Sequence, residues 1–419
     1  MARKQTGGKS NKGKSSKNGK LLKSVITLVL VVVLGLVGNE KFSFDELIGN
    51  LIDSFNNQVE TNINENEQSE ERQEENPETQ NQQNSTVKPS EEENDSEQSK
   101  GEYTSDNLVV TFFDVGQADS ILLRTGDKVM LVDTGNAGDA NESGKLVKGN
   151  INLIYELYKM GVDHIDILVA THPHEDHMGS MYKIINSFEI GDLYINAVHE
   201  EYIEKGFYER FYNAMVEKNV HQVSPTTLSE EEIIIKVNEY NNALKNDDDE
   251  ENDEDVIVYD KADYIRPGDV IKFGNATITV LAPNSAEYSD TNDYSIVFMV
   301  EFEGKKIMLT GDAGKEAEEE ILKFAEKNNI DLNCDILKVG HHGSRTANTE
   351  EFIEAVDAEY AVIMVEAGHK YGLPDEDVVE RLERYGATIY DTTNHGDITL
   401  IIDDGNYEFD FAYQHEEKE

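Results

Sequence analysis

The stretch DILVATHPHEDH, residues 166–177, limits the possible folds more than any other part of the chain, because a short apolar run ends abruptly in three histidines and two carboxylates. An apolar run of that length bounded by polar residues reads as a buried strand, so the polar groups emerge where a rigid strand gives way to a loop. Imidazole nitrogen and carboxylate oxygen are good zinc ligands, and the one-residue spacing of His172 and His174 lets both face one ion. Asp176 and His177 fall about one turn further along and can face a second ion beside it. A single tetrahedral ion has no use for so many donors.

Two later strand ends have the same form. KIMLTGDAG presents Asp312 after an apolar run, and a carboxylate there can bridge two metals about 3.5–4 Å apart, as two-metal hydrolases require. DILKVGHHGS presents His341 and His342 in the same setting. Strands are also expected at NLVVTFFDVG, SILLRTGDKVMLVDTG, DLYINAV, TITVLAP, SIVFMVEF, YAVIMVE and ITLIID. Helices are expected at about 145–160, 316–327, 350–356 and 375–385. Two runs of strands, each followed by helices, predict an α/β fold of stacked sheets with helices outside.

The N-terminal quarter differs in composition. Residues 1–23 carry eight Lys and Arg and no acid, and an apolar segment follows at 24–38. This predicts a basic cytoplasmic tail and a single-pass transmembrane anchor with the body outside the cell, or, as the alternative, a cleaved signal segment and a secreted protein. Residues 39–104 are expected to form an acidic, disordered linker too poor in apolar side chains to offset the entropy of ordering, and residues 105–413 the folded domain. The formal charge of −48 argues against long-range attraction to nucleic acid, although a metal centre and a local patch can still bind phosphate. The acidic run at 246–255 reads as a solvated loop lacking the spacing of a calcium loop. The single cysteine, Cys334, excludes an internal disulfide and reads as a buried thiol.

THPHEDH, then TGD, then a late histidine resembles the metallo-β-lactamase fold superfamily. The elements FFDVGQADSILL, LVDTG, NDYSIVFMVEFEGKKIMLTGD, LKVGHHGS, HKYGLP and TTNHGDITL, spread over residues 108–403, resemble the hydrolase domain of the ComEC-like DNA-internalisation competence proteins and their stand-alone relatives. Phosphorylcholine esterases are similar around HHG. The resemblance implies a four-layer αββα sandwich with a dinuclear zinc site, manganese being the alternative metal. It implies that His172 and His174 hold the first ion, that Asp176, His177 and His342 hold the second, and that Asp312 bridges. Asp176 and His341 are the catalytic assignments, His341 as proton donor or phosphate contact. Asp119 and Asp133 are expected to orient ligands or to form turns. The expected substrate is a phosphodiester, of DNA or of the cell surface, with a non-catalytic part in a DNA-uptake apparatus as a further alternative; no stable protein partner is expected.

The sequence also departs from the family pattern. Many superfamily members carry one more histidine ligand between the first motif and the bridging aspartate; His199 and His221 are the candidates, and both are expected at the surface. Ala118 stands where the competence family has a glycine, and Leu373 where it often has a histidine, with His369 displaced upstream. Ser344, Lys370 and Tyr371 lie on segments that could reach substrate but are expected to be structural.

Overall fold

A computed structural model describes residues 106–137, 153–196, 206–244 and 263–413. The predicted tail, anchor, linker and 246–255 loop, His199, and the start of the helix expected from residue 145 lie outside these residues. Among the described residues no helix is long and apolar enough to cross a membrane.

The first half runs β1 (Asn107–Phe112), β2 (Ile121–Thr125), β3 (Lys128–Val132), α1 (Leu153–Lys159), β4 (His164–Ala170), α2 (Glu175–Met178), α3 (Met181–Ser187), β5 (Glu189–Ile195), α4 (Gly206–Lys218), β6 (His221–Pro225), α5 (Glu230–Leu244) and β7 (Tyr264–Ile265). The second half runs β8 (Val270–Phe273), β9 (Ala276–Ala282), β10 (Val297–Phe302), β11 (Lys305–Leu309), α6 (Lys315–Asn328), β12 (Ile336–Lys338), α7 (Glu350–Val356), β13 (Tyr360–Ile363), α8 (Glu376–Arg384), β14 (Thr388–Asp391), α9 (Thr392–His395), β15 (Ile398–Asp403) and β16 (Asn406–Phe411).

The strands form two sheets, one of nine in the order β16-β15-β1-β2-β3-β4-β5-β6-β7 and one of seven in the order β14-β13-β12-β11-β10-β9-β8. Each sheet is antiparallel where hairpins build it and parallel from β3 to β7 and from β11 to β14, where helices make most of the crossovers. The period-two alternation explains why the sheets stack. On β10 and β11, Phe298, Val300, Ile307 and Leu309 join one core with Leu123, Met130 and Leu168 of the first sheet. The intervening Val297, Met299 and Met308 face a second core with Ile321 of α6, Phe352 of α7 and Leu382 of α8. Leu157 of α1, Ile184 of α3 and Phe211 of α4 join the first core.

The predicted strands all form. The short strand β6 and the edge strands β7, β8, β14 and β16 have no counterpart among the expected elements; β16 alternates exposed and half-buried residues and carries Glu408 and Asp410 amid its aromatics. In such open α/β sheets ligands gather at the carboxyl ends of parallel strands. The carboxyl ends of β3, β4, β11 and β12 lead directly into Asp133, His172, Asp312 and His341–His342.

Candidate metal centre

Asp133 anchors the first half of the centre. It follows β3 in the left-handed region, at φ 58°, a conformation that aspartate tolerates better than most residues. Its carboxylate accepts hydrogen bonds from the Thr171 backbone N–H at 2.9 Å and the Thr171 hydroxyl at 2.7 Å, and lies 2.7 Å from His177 Nδ1. The imidazole therefore turns Nε2 away from Asp133. The one-turn helix α2 begins after His174 and brings Asp176 and His177 back beside it. Gly179 follows that turn, and a Cβ there would lie 2.2 Å from Ala137 N and 2.5 Å from Glu175 O. Only glycine lets the histidine loop sit this closely on the loop after Asp133.

The ligand atoms converge. His172 Nε2 lies 2.9 Å from His174 Nδ1, so this pair presents unlike nitrogens to one point. Asp312 Oδ1 lies 3.3 Å from His177 Nε2, and Oδ2 lies 3.9 Å from His172 Nε2 and 3.7 Å from Nε2 of both His341 and His342. His342 Nε2 is 3.4 Å from Asp176 Oδ2. Asp176, His177, Asp312 and His342 each offer a ligand atom, all within 4.8 Å of one another. His177 Nε2, His342 Nε2 and Asp312 Oδ1 are buried without a hydrogen-bond partner. Orphaned polar atoms that face one another in a protein interior are costly, and a cation between them removes the cost. The donor set fits a divalent metal.

His341 and His342 separate at the backbone. Both have positive φ, 48° and 53°, which for non-glycine residues costs on the order of 1 kcal/mol each and is typical of functional loops. The turn sends His342 into the interior, where its Nδ1 donates to Met364 O at 2.9 Å, and leaves His341 partly exposed, with Nδ1 2.8 Å from the Thr346 hydroxyl. Asp119 takes a supporting place beneath His342. One oxygen is 3.4 Å from His342 Nδ1, and the other is 2.6 Å from Lys338 Nζ, a lysine with no exposed surface.

Lys338, Thr171 and Ser295 escaped the sequence reading. Only Lys338 left a trace, as a charge in mid-strand among apolar neighbours. Ser295 Oγ accepts from the Asp312 backbone N–H at 3.1 Å and lies 3.3 Å from His172 Nδ1.

The electrostatics follow from this packing. Burial alone would lower the pKa of every imidazole here. For His177 the carboxylates of Asp312 and Asp133 outweigh burial and hold it well above its ordinary value. For His342 burial is likewise outweighed, by Asp312, Asp119 and Asp176, and its pKa is pushed up to about 10. His172 goes the other way, since burial and the neighbouring His177 cation hold it well below the usual histidine value and keep it neutral. Burial opposes ionisation of Asp312, but the His177 and His342 cations keep it well below the usual carboxylate range. Asp119 is lowered against burial by Lys338 and His342, and Asp133 is raised chiefly by burial. The Asp133→Asn variant tolerates the same φ but loses the charge behind His177. It is expected to bind metal about 10- to 100-fold more weakly in a titration against a competing chelator.

Other residues singled out from the sequence lie apart. His221 bridges Asp192 at 2.7 Å and Asp263 at 3.0 Å on the outer strands, outside the cluster. Lys370 lies over the exposed Tyr371 ring at 4.7 Å, and Ser344 bonds Thr346. Cys334 is buried, and burial pushes its thiol up to about 12, in keeping with an inert structural residue.

Residues 113–369 match the metallo-beta-lactamase superfamily. Similar proteins include ComE operon protein 3 of Bacillus subtilis, 25% identical over 69% of this chain and 32% of that protein. Competence protein ComA of Neisseria gonorrhoeae is 24% identical over 68% of this chain and 31% of that protein. The chain thus spans about a third of the length of these curated relatives. Among solved structures, Igni18, described as a novel metallo hydrolase of Ignicoccus hospitalis, is 13% identical over 70% of this chain and 98% of its own, with a TM-score of 0.36.

Proposed function

Because the chain belongs to the metallo-β-lactamase superfamily, we propose that it is a metal-dependent hydrolase of phosphodiesters, akin to the hydrolase domain of competence proteins. The observation that carries this reading is the convergence of Asp176, His177 and His342 on Asp312, with His172 and His174 beside them and the buried His177 Nε2, His342 Nε2 and Asp312 Oδ1 lacking hydrogen-bond partners. Two divalent cations, zinc or manganese, would supply an activated water and neutralise charge on the reacting phosphate. His172 and His174 would hold the first, Asp176, His177 and His342 the second, and Asp312 both.

The remaining chemistry belongs to the chain. Asp133, and Met364 O with Asp119, turn Nδ1 of His177 and His342 outward, so that Nε2 of each faces inward without reorganisation. His341 stands at the open side with Nε2 3.7 Å from Asp312 Oδ2 and Nδ1 on Thr346, placed to hand a proton to the departing oxygen. Asp176 Oδ2 lies 3.4 Å from His342 Nε2, so the two would face the same ion as fellow ligands.

DNA or nucleotides are the first substrate class, in keeping with the competence relatives. Cell-surface phosphodiesters such as phosphorylcholine on teichoic acid are the second, favoured by the charge of −48, which repels a long polyanion. The basic N-terminus and apolar segment 24–38 support a tethered protein with its hydrolase domain outside the cell. The deciding experiment supplies zinc or manganese to the purified protein with single-stranded DNA, bis-p-nitrophenyl phosphate and p-nitrophenyl phosphorylcholine. Turnover of DNA and the bis-ester, abolished in His174→Ala, is the expected result. Preference for phosphorylcholine selects the second class. Two bound ions without turnover of any substrate would sink the enzyme reading in favour of a non-catalytic uptake component.

A further inference from the structure

We propose that Ser295 is a positioning residue for the metal centre, its single hydroxyl fixing both the imidazole of His172 and the backbone of Asp312. The inference rests on the metal-binding reading above and adds a residue from outside the ligand motifs. Ser295 precedes β10 in the second sheet, His172 follows β4 in the first, and Asp312 follows β11. The side chain is fully buried. Its oxygen accepts from Asp312 N–H at 3.1 Å and lies 3.3 Å from His172 Nδ1.

The other hydroxyl near that nitrogen is Thr171 Oγ1, at 3.2 Å, and its proton is committed to the Asp133 carboxylate at 2.7 Å. Thr171 Oγ1 is therefore left to accept, so His172 carries its proton on Nδ1, between the Thr171 and Ser295 oxygens, and leaves Nε2 free, facing His174 and Asp312. The backbones enforce the arrangement. Ile296 N donates to Thr171 O at 3.1 Å, and Asn196 Nδ2 donates to Thr171 O at 2.9 Å and also to Tyr294 O. Gly311, at φ 53°, leaves room for this junction, since a Cβ there would meet Ser295 Oγ and Thr171 Oγ1 at 3.1 Å. Ser295 thus couples a ligand from one sheet to a ligand from the other.

The test compares wild type, Ser295→Ala and Thr310→Val by equilibrium dialysis against zinc and by thermal melting of the metal-free proteins. Thr310 is a control because its buried hydroxyl bonds Lys338 O at 2.7 Å. Ser295→Ala is expected to bind one of the two ions about 10- to 100-fold more weakly, while Thr310→Val loses stability but keeps both affinities. Equal metal affinity in Ser295→Ala and wild type overturns the inference, as does an equal loss in Thr310→Val. Failure of wild type to bind zinc overturns the metal-centre reading itself. A measurement on the wild-type protein covers a Ser295→Ala chain that does not fold. Imidazole nitrogen–proton correlation spectra of the zinc-loaded protein must show a proton on His172 Nδ1, and its absence overturns the assignment.

Discussion

Replacing Asp312 by asparagine is expected to lower turnover by about a thousandfold or more, equivalent to about 4 kcal/mol of transition-state stabilisation, and to reduce bound metal from two ions per chain to one or none. The variant keeps the side-chain shape, so the effect reads the charge. Among the described residues Asp312 reaches both halves of the centre, with one oxygen 3.3 Å from His177 Nε2 and the other within 3.9 Å of His172, His341 and His342. Metal analysis alongside steady-state kinetics checks it. Wild-type stoichiometry with unchanged turnover would remove Asp312 from the bridging position.

The second large effect is on stability. Lys338→Met is expected to destabilise the protein by about 3 kcal/mol, because it leaves the buried Asp119 carboxylate with His342, 3.4 Å away, as its remaining partner. Lys338 Nζ is 2.6 Å from Asp119, and both side chains are almost wholly excluded from water. Removing both charges, in Lys338→Met with Asp119→Asn, is expected to recover most of the loss. A double-mutant cycle by urea unfolding of the metal-free protein measures the coupling, and simple additivity would show that the two residues do not act as a pair. The pair also fastens the 114–120 loop of the first sheet to β12 of the second. The Asp119 backbone in turn donates to Asp176 O at 3.2 Å, so its loss should loosen the seat of a ligand as well.

Several features were legible in the sequence because their meaning is local. The apolar run before THPHEDH marks a strand, and the spacing of His172, His174, Asp176 and His177 places four donors within one loop and one helical turn, whatever surrounds them. Asp312 and the paired histidines stood out for the same reason, each directly after an apolar strand. Helix α7 forms over the expected residues 350–356, and α6 and α8 fall within a residue of their expected bounds, since their apolar period and polar flanks are likewise local signals. The edge strands did not stand out. A strand such as β16, with one face wet and acids between its aromatics, carries little of the continuous apolar signature of the buried strands.

Periodicity and residue type alone point to stacked sheets with metal-ligand side chains collected at strand ends. Which neighbours make those side chains a centre depends on how the two sheets pack. Two consecutive left-handed residues divide the work between His341 and His342, a choice no residue spacing encodes. Asp133 serves His177 across 44 positions of chain, Lys338 answers Asp119 from the other sheet, and Ser295 joins His172 to Asp312. A serine, a threonine or a lysine is ordinary in composition. It acquires a role only when folding removes water from around it and leaves one partner within hydrogen-bond reach.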